Sequence, residues 1–162
     1  MSTSTTLFGS TLPRRFVGAS LAALFGLTLA LNPASAPSAH AVVTAAVAVK
    51  AVNVAAAQVG IPYKYGGTSP RTGFDCSGLT QYSYAKVGKK LPRTAQQQYA
   101  ATIRINGSHV RVGDLVFFYT GTSVYHVGIF AGHNYMYAAP HTGALVKKQK
   151  IWTTKVLFGR VR

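Results

Sequence analysis

The chain has 162 residues and carries 17 Lys and Arg against 2 Asp and Glu, a formal net charge of +15. Its carboxylates are Asp75 and Asp114 alone, so a two-carboxylate glycosidase would need both, correctly spaced. The five histidines show no HxH or HExxH spacing, so no metal and no cofactor is expected, and by elimination any catalysis leans on the single cysteine, Cys76, and on histidine.

In chain order, Arg14 and Arg15 precede the apolar run FVGASLAALFGLTLAL at 16–31. Asn32-Pro33 and small residues follow, ending in Ala39-His40-Ala41. A basic start, an apolar stretch and an A-x-A site read as a secretory signal over residues 1–41, cleaved after Ala41. The alternative is a retained anchor, but the run is short for a bilayer span. The arginine pair fits a twin-arginine signal poorly, so ordinary secretory export is the expectation.

Removing Arg14 and Arg15 leaves 15 basic and 2 acidic residues, a formal +13. Outside a cell, such a chain is drawn to anionic cell-wall polymers or membrane surfaces. The basic residues are scattered apart from Lys147, Lys148 and Lys150, and they form no nucleic-acid-binding motif. No nucleic-acid partner is therefore expected.

Residues 42–49 read as a short extension and 50–162 as one small domain, expected to be monomeric. A lone cysteine forms no internal disulfide, so stability must come from packing. The Ala/Val-rich stretch 42–60 turns helical in its later part and stops at Gly60. Pro62, Gly66-Gly67, Pro70 and Gly73 mark 61–73 as a loop. A helix is predicted over 76–87, with Asp75 near its N-cap, Cys76 in its first turn and Gly88 as its stop. A second short helix spans 91–100, with Thr94 as a plausible cap. Strands are predicted at 114–119, 125–132, 134–140, 144–151 and 155–162, the second and third forming a hairpin. Helices followed by antiparallel strands define an α+β fold.

A cysteine at a helix N-terminus meets free backbone N–H groups and the positive end of the helix dipole. Both favour thiolate, and the same N–H groups can receive an oxyanion. The competing reading is a buried structural cysteine. A nucleophilic thiol needs a base, and the candidates are His109, His126, His133 and His141. His109 lies in a polar loop and His133 in a turn, so both read as solvated surface. His126 opens the strand HVGIF, where it is either a satisfied core residue or a base on a rigid element.

Five motifs then stand in order: PYKYGG (62–67), GFDCSGLTQY (73–82), LPRTAQQQ (91–98), VGDLVFF (112–118) and HVGIFAG (126–132). Through them the chain resembles the NlpC/P60 family of secreted cysteine peptidases, which cleave peptidoglycan stem peptides. The resemblance implies a papain-like unit with N-terminal helices packed on a small antiparallel sheet. It implies Cys76 as nucleophile, His126 as general base and Tyr63 as an oxyanion-side hydroxyl. Asp75 and Ser77 match positions that hold the substrate's amino group, and Arg93 matches a position near the cleft. From the residues alone, Tyr63 could be a packed aromatic, Asp75 a helix cap and Arg93 a solvated or ion-paired side chain. The scarcity of acids favours a substrate role for Arg93.

The implied reaction is hydrolysis of the γ-D-glutamyl–diamino acid bond through a thioester, with peptidoglycan stem peptides as partner. The alternatives are a wall amidase of the same fold and a weakly catalytic cationic wall-binding or toxin module. One departure stands out. The family usually carries a third polar residue twelve positions after the base, and here that position is Ala138. A three-residue hairpin loop would set His126 against Ala138. A two-residue loop would set it against Ala139, with Tyr137 and His141 diagonal on the same face. His141 is thus a candidate substitute for orienting His126, alongside a backbone carbonyl or a water.

Overall fold

The computed structural model describes residues 41–162, so the expected signal segment lies outside the described residues except for Ala41. The first helix, α1 (Ala45–Ala56), is capped by the Thr44 hydroxyl, which accepts from the Val47 N–H at 3.3 Å. It buries Ala48, Ala51, Val52 and Ala55, one stripe at helical spacing. Val43 donates its N–H to the Val161 carbonyl at 3.1 Å. Of residues 42–49, expected as an extension, Val43 and Ala48 are buried against the domain, Ala48 as the first member of the stripe.

Two short strands, β1 (Thr68–Ser69) and β2 (Gly73–Phe74), form a small antiparallel pair inside the predicted loop. Helix α2 (Cys76–Ala85) follows at once, and α3 (Ala95–Ala101) comes after a turn. Then come β3 (Ile103–Ile105), β4 (Leu115–Thr120), β5 (Ser123–Gly132), β6 (Tyr135–Ala138), β7 (Lys147–Lys150) and β8 (Val156–Arg160). These six strands make one antiparallel sheet in the order β3-β8-β4-β5-β6-β7.

The sheet is covered on both faces, so β4 reads LVFFYT with its first four residues buried rather than alternating. Leu115, Phe117, Val127 and Ile129 pack with the helices. Val116, Phe118, Phe130, Met136 and Ala138 form a second cluster with Ile151, from the connection between β7 and β8.

The β5–β6 hairpin departs from both registers considered above. His133 and Asn134 form a two-residue turn with φ of 50° and 61°, the left-handed pair of a type I′ hairpin. A bulge between Phe130 and Gly132 then shifts the ladder, so that Ile129 stands opposite Tyr137. Continued one pair, this register sets Gly128 against Ala138. His126 lies beyond the end of β6, opposite neither Ala138 nor Ala139. A second irregularity falls between Phe118 paired with His126 and Tyr119 paired with Val124, leaving Tyr125 as the extra residue.

Helix α2 meets the preceding loop backbone to backbone. A Cβ at Gly78 would stand 2.0 Å from the Gly67 carbonyl oxygen, and one at Gly67 would stand 2.4 Å from that of Gly73. Gly78→Ala should therefore destabilise the fold by about 1–3 kcal/mol, the cost of overpacking where backbone must yield. Denaturant titration reads this as a lower midpoint, and an unchanged midpoint would contradict the close contact.

Candidate active site

The N-terminus of α2 is organised by Asp75, which is 6% exposed. Its Oδ1 accepts from the Gly78 N–H at 2.7 Å, from the Ser77 hydroxyl at 3.3 Å and from Arg93 Nη1 at 3.0 Å. Its Oδ2 accepts from the Gly66 N–H at 2.9 Å and from Arg93 Nη2. Arg93 Nη1 also donates to Ser77 Oγ at 2.9 Å. Burial alone would raise the Asp75 pKa, but Arg93 and the Gly78 and Gly66 N–H groups hold it below the usual carboxylate range. Asp75 is thus at once the helix cap and the carboxylate partner of Arg93. Of the readings open for Arg93 from sequence, the ion pair is the one present. Both carboxylate oxygens are already engaged within the chain.

The three glutamines after Arg93 have three different functions. Gln97 completes a capping box with Thr94 at the start of α3. Gln98, fully buried, donates to the Ser77 and Pro92 carbonyls at 2.9 Å each and accepts from Thr80 Oγ1 at 2.6 Å, tying α3 to α2. Gln96 accepts from the Val124 N–H at 2.7 Å, tying α3 to the start of β5. The LPRTAQQQ stretch therefore fixes helix α2 relative to the strand that carries His126.

Cys76 is a free cysteine in the first turn of α2, partly buried. Burial raises its pKa. Backbone hydrogen bonding from Val127 opposes this, the Asp75 charge adds to it, and the Ser77 N–H and hydroxyl oppose it, leaving the thiol above its ordinary value. The helix terminus alone was expected to favour thiolate. Desolvation and the capping carboxylate outweigh it.

His126 sits one peptide unit from the Val127 N–H that approaches the thiol. It is 5% exposed, and burial, then the charge of His141, pushes its pKa down to about 4. Its buried Nε2 has no hydrogen-bond partner, and among the described residues no hydrogen bond joins it to Cys76. Both shifts run in the direction that favours a thiol and a neutral imidazole over a resting ion pair.

Tyr63 joins the site from the loop before α2. Its N–H donates to the Ala144 carbonyl at 2.8 Å, and it bridges Phe74. Burial raises its hydroxyl pKa, as do the nearby charges of Cys76 and Asp75. His141 is exposed, and its Nδ1 lies 2.9 Å from the Thr142 carbonyl, so no hydrogen bond links it to His126. His109 and His133 are both exposed.

Tyr63, Asp75, Cys76, Ser77 and Arg93 line a cleft of about 390 Å³, and His126 lies behind it, outside the lining. Tyr65, 85% exposed, and Tyr125, 56% exposed, also line it, and neither was singled out from sequence. Tyr65 lies inside the recognised PYKYGG motif, whereas the exposure of Tyr125 comes from the bulge, which leaves no local signature.

Residues 60–160 match the profile of the NlpC/P60 family, and the chain belongs to that family. It is 45% identical over 109 residues to the bifunctional muramidase/DL-endopeptidase CwlT of Bacillus subtilis, an alignment covering 64% of this chain and 33% of that protein. It is 46% identical over 99 residues to the murein DD-endopeptidase MepH of Escherichia coli, covering 57% of this chain and 36% of that protein. Each alignment thus spans about a third of the relative's length. The solved peptidoglycan hydrolase RipB of Mycobacterium tuberculosis superposes with a TM-score of 0.65 at 28% identity, covering 72% of this chain and 65% of RipB. The fold is the α+β NlpC/P60 unit, consistent with a papain-like arrangement.

A depressed carboxylate pKa contributes stability that is present above the unfolded value, about 4, and is lost as pH falls through the folded one. Asp75→Asn should therefore be less stable than wild type at pH 7, and its further loss of stability on acidification to pH 3 should be the smaller. Denaturant midpoints at both pH values test this. Equal acid-dependent losses would show that the carboxylate does not hold the α2 terminus.

Proposed function

We propose that the protein is a secreted cysteine endopeptidase acting on amide bonds in peptidoglycan stem peptides. The observation that carries this reading is a free thiol in the first turn of α2, opening on a cleft and approached by the backbone N–H of Val127, the residue that follows the buried His126. In the reaction, His126 takes the Cys76 proton as the sulfur attacks the amide carbonyl and forms the C–S bond. The Cys76 backbone N–H and the Tyr63 hydroxyl steady the oxyanion. Protonated His126 then delivers its proton to the leaving amine as the C–N bond breaks. Water, deprotonated by His126, hydrolyses the thioester and restores the thiol.

The scissile bond we propose is the γ-D-glutamyl–diamino acid bond, supported by the family resemblance and by the DL-endopeptidase name of one relative. The segment 1–41 supports export. The charge distribution supports attraction to anionic wall polymers: Arg93 and Arg160 take up both of the chain's side-chain carboxylates. No carboxylate side chain remains to offset the other cations.

Mass spectrometry of muropeptides after digestion of purified peptidoglycan tests the reading. Wild type should release fragments cut within the stem, and Cys76→Ala should lower turnover by on the order of a thousandfold or more. Fragments freed at the amide joining stem to glycan would indicate an amidase instead. Identical wild-type and mutant digests would remove the enzyme reading.

A further inference from the structure

Among the described residues no polar side chain is hydrogen-bonded to His126 to orient its ring. Its Nε2 is buried without a partner, and Ala138, fully buried on that face of the sheet, offers only a methyl group. What surrounds the imidazole is aromatic. Phe118, opposite it on β4, lies 5.3 Å away between ring centroids, tilted by 59°. Trp152 lies 5.7 Å away, tilted by 45°. Trp152 in turn stacks on Phe118 at 4.1 Å and 14°.

Trp152 belongs to no strand. It sits on the segment between β7 and β8, which packs on the sheet face away from the helices. The neighbouring Ile151 anchors that segment, being 8% exposed and donating its N–H to the Asn134 carbonyl at 2.9 Å. The indole is 54% exposed, so one face meets solvent while the other closes over Phe118 and His126. A ring contact of this kind restricts imidazole rotation by packing and keeps water from it.

We propose that Trp152 is the positioning residue for His126, holding the imidazole by aromatic packing where no hydrogen-bonding side chain does so. The inference rests on His126 being the general base. It predicts a kinetic signature, because removing the indole would rehydrate the imidazole and restore its basicity. One other titratable group bears on that ring through its charge, His141 after β6, while Cys76 on α2 meets the adjoining Val127 N–H. Lys150 and Lys155 bracket Trp152 on its own segment.

The acid limb of kcat/KM reports the free enzyme's base, and in wild type it should lie near pH 4. In Trp152→Ala it should move toward pH 6.5, the ordinary histidine value, with kcat reduced about ten- to a hundredfold and KM little changed. Trp152→Phe, which keeps a stacking ring, should retain the wild-type limb. Trp152→Leu fills the space without an aromatic face, and it serves if the alanine variant does not fold.

Trp152 is also the chain's only tryptophan, so its fluorescence is a direct reporter. A protonated imidazole against an indole quenches it. In a Cys76→Ala background, emission should fall on acidification with a midpoint well below pH 6.5, and His126→Gln should abolish that step. A folded Trp152→Ala or Trp152→Leu with unchanged acid limb and kcat would overturn the proposal, as would a fluorescence step that survives His126→Gln. Full turnover by His126→Gln would instead overturn the assignment of the base, a failure distinguishable because the fluorescence contact would persist.

Discussion

The Asp75 carboxylate is the constraint on which the site depends. Five donors from three segments converge on two oxygens: the Gly66 N–H, the Gly78 N–H, the Ser77 hydroxyl and both terminal nitrogens of Arg93. Each donor alone contributes modestly. Together they fix the loop that carries Tyr63, the first turn of the helix that carries Cys76 and the turn that leads into α3. Gly67 and Gly78 permit the loop and helix to approach so closely, since a side chain at either would collide with backbone. From that anchor, Gln98 and Gln96 extend the register to α2 and to β5. The position of the thiol relative to His126 is thus a consequence of polar contacts made on the other side of the cleft.

The same arrangement sets the electrostatics. Asp75 neutralises Arg93 and caps the helix, so the charges that could draw a proton from Cys76 are spent before they reach the sulfur. Burial then raises the thiol and depresses the imidazole. Both directions favour a neutral pair at rest, which in the proposed mechanism ionises as the carbonyl arrives rather than beforehand. A neutral pair avoids the desolvation cost of holding two buried ions. It also places the burden of orientation on packing, because a neutral imidazole with an unpartnered Nε2 has little else to hold it.

How much of this was legible in the sequence depended on range. Helix capping is local, so Asp75 before α2 and Thr94 before α3 could be read directly, and both caps are present. Five strands were legible from their β-rich, apolar runs and turn residues. The three-residue β3 carries too short a pattern, and β1–β2 hides among glycines and a proline. The hairpin register was not legible, because the bulge before Gly132 leaves no mark in the sequence. Counting acids could not show that one carboxylate serves as cap and as ion-pair partner of Arg93 together. Trp152 was invisible because it lies on an irregular segment, and its contact with His126 exists only once the β7–β8 connection packs on the sheet.

The central claim is that Cys76 and His126 rest as a neutral pair and not as a thiolate–imidazolium pair. Alkylation of Cys76 by iodoacetamide as a function of pH tests it directly, since only thiolate reacts and Cys76 is the sole cysteine. The rate should be slow through neutrality and climb only above the ordinary thiol range, with no plateau between pH 5 and 8. A fast plateau across that interval, lost in His126→Ala, would demonstrate a preformed ion pair and contradict the account.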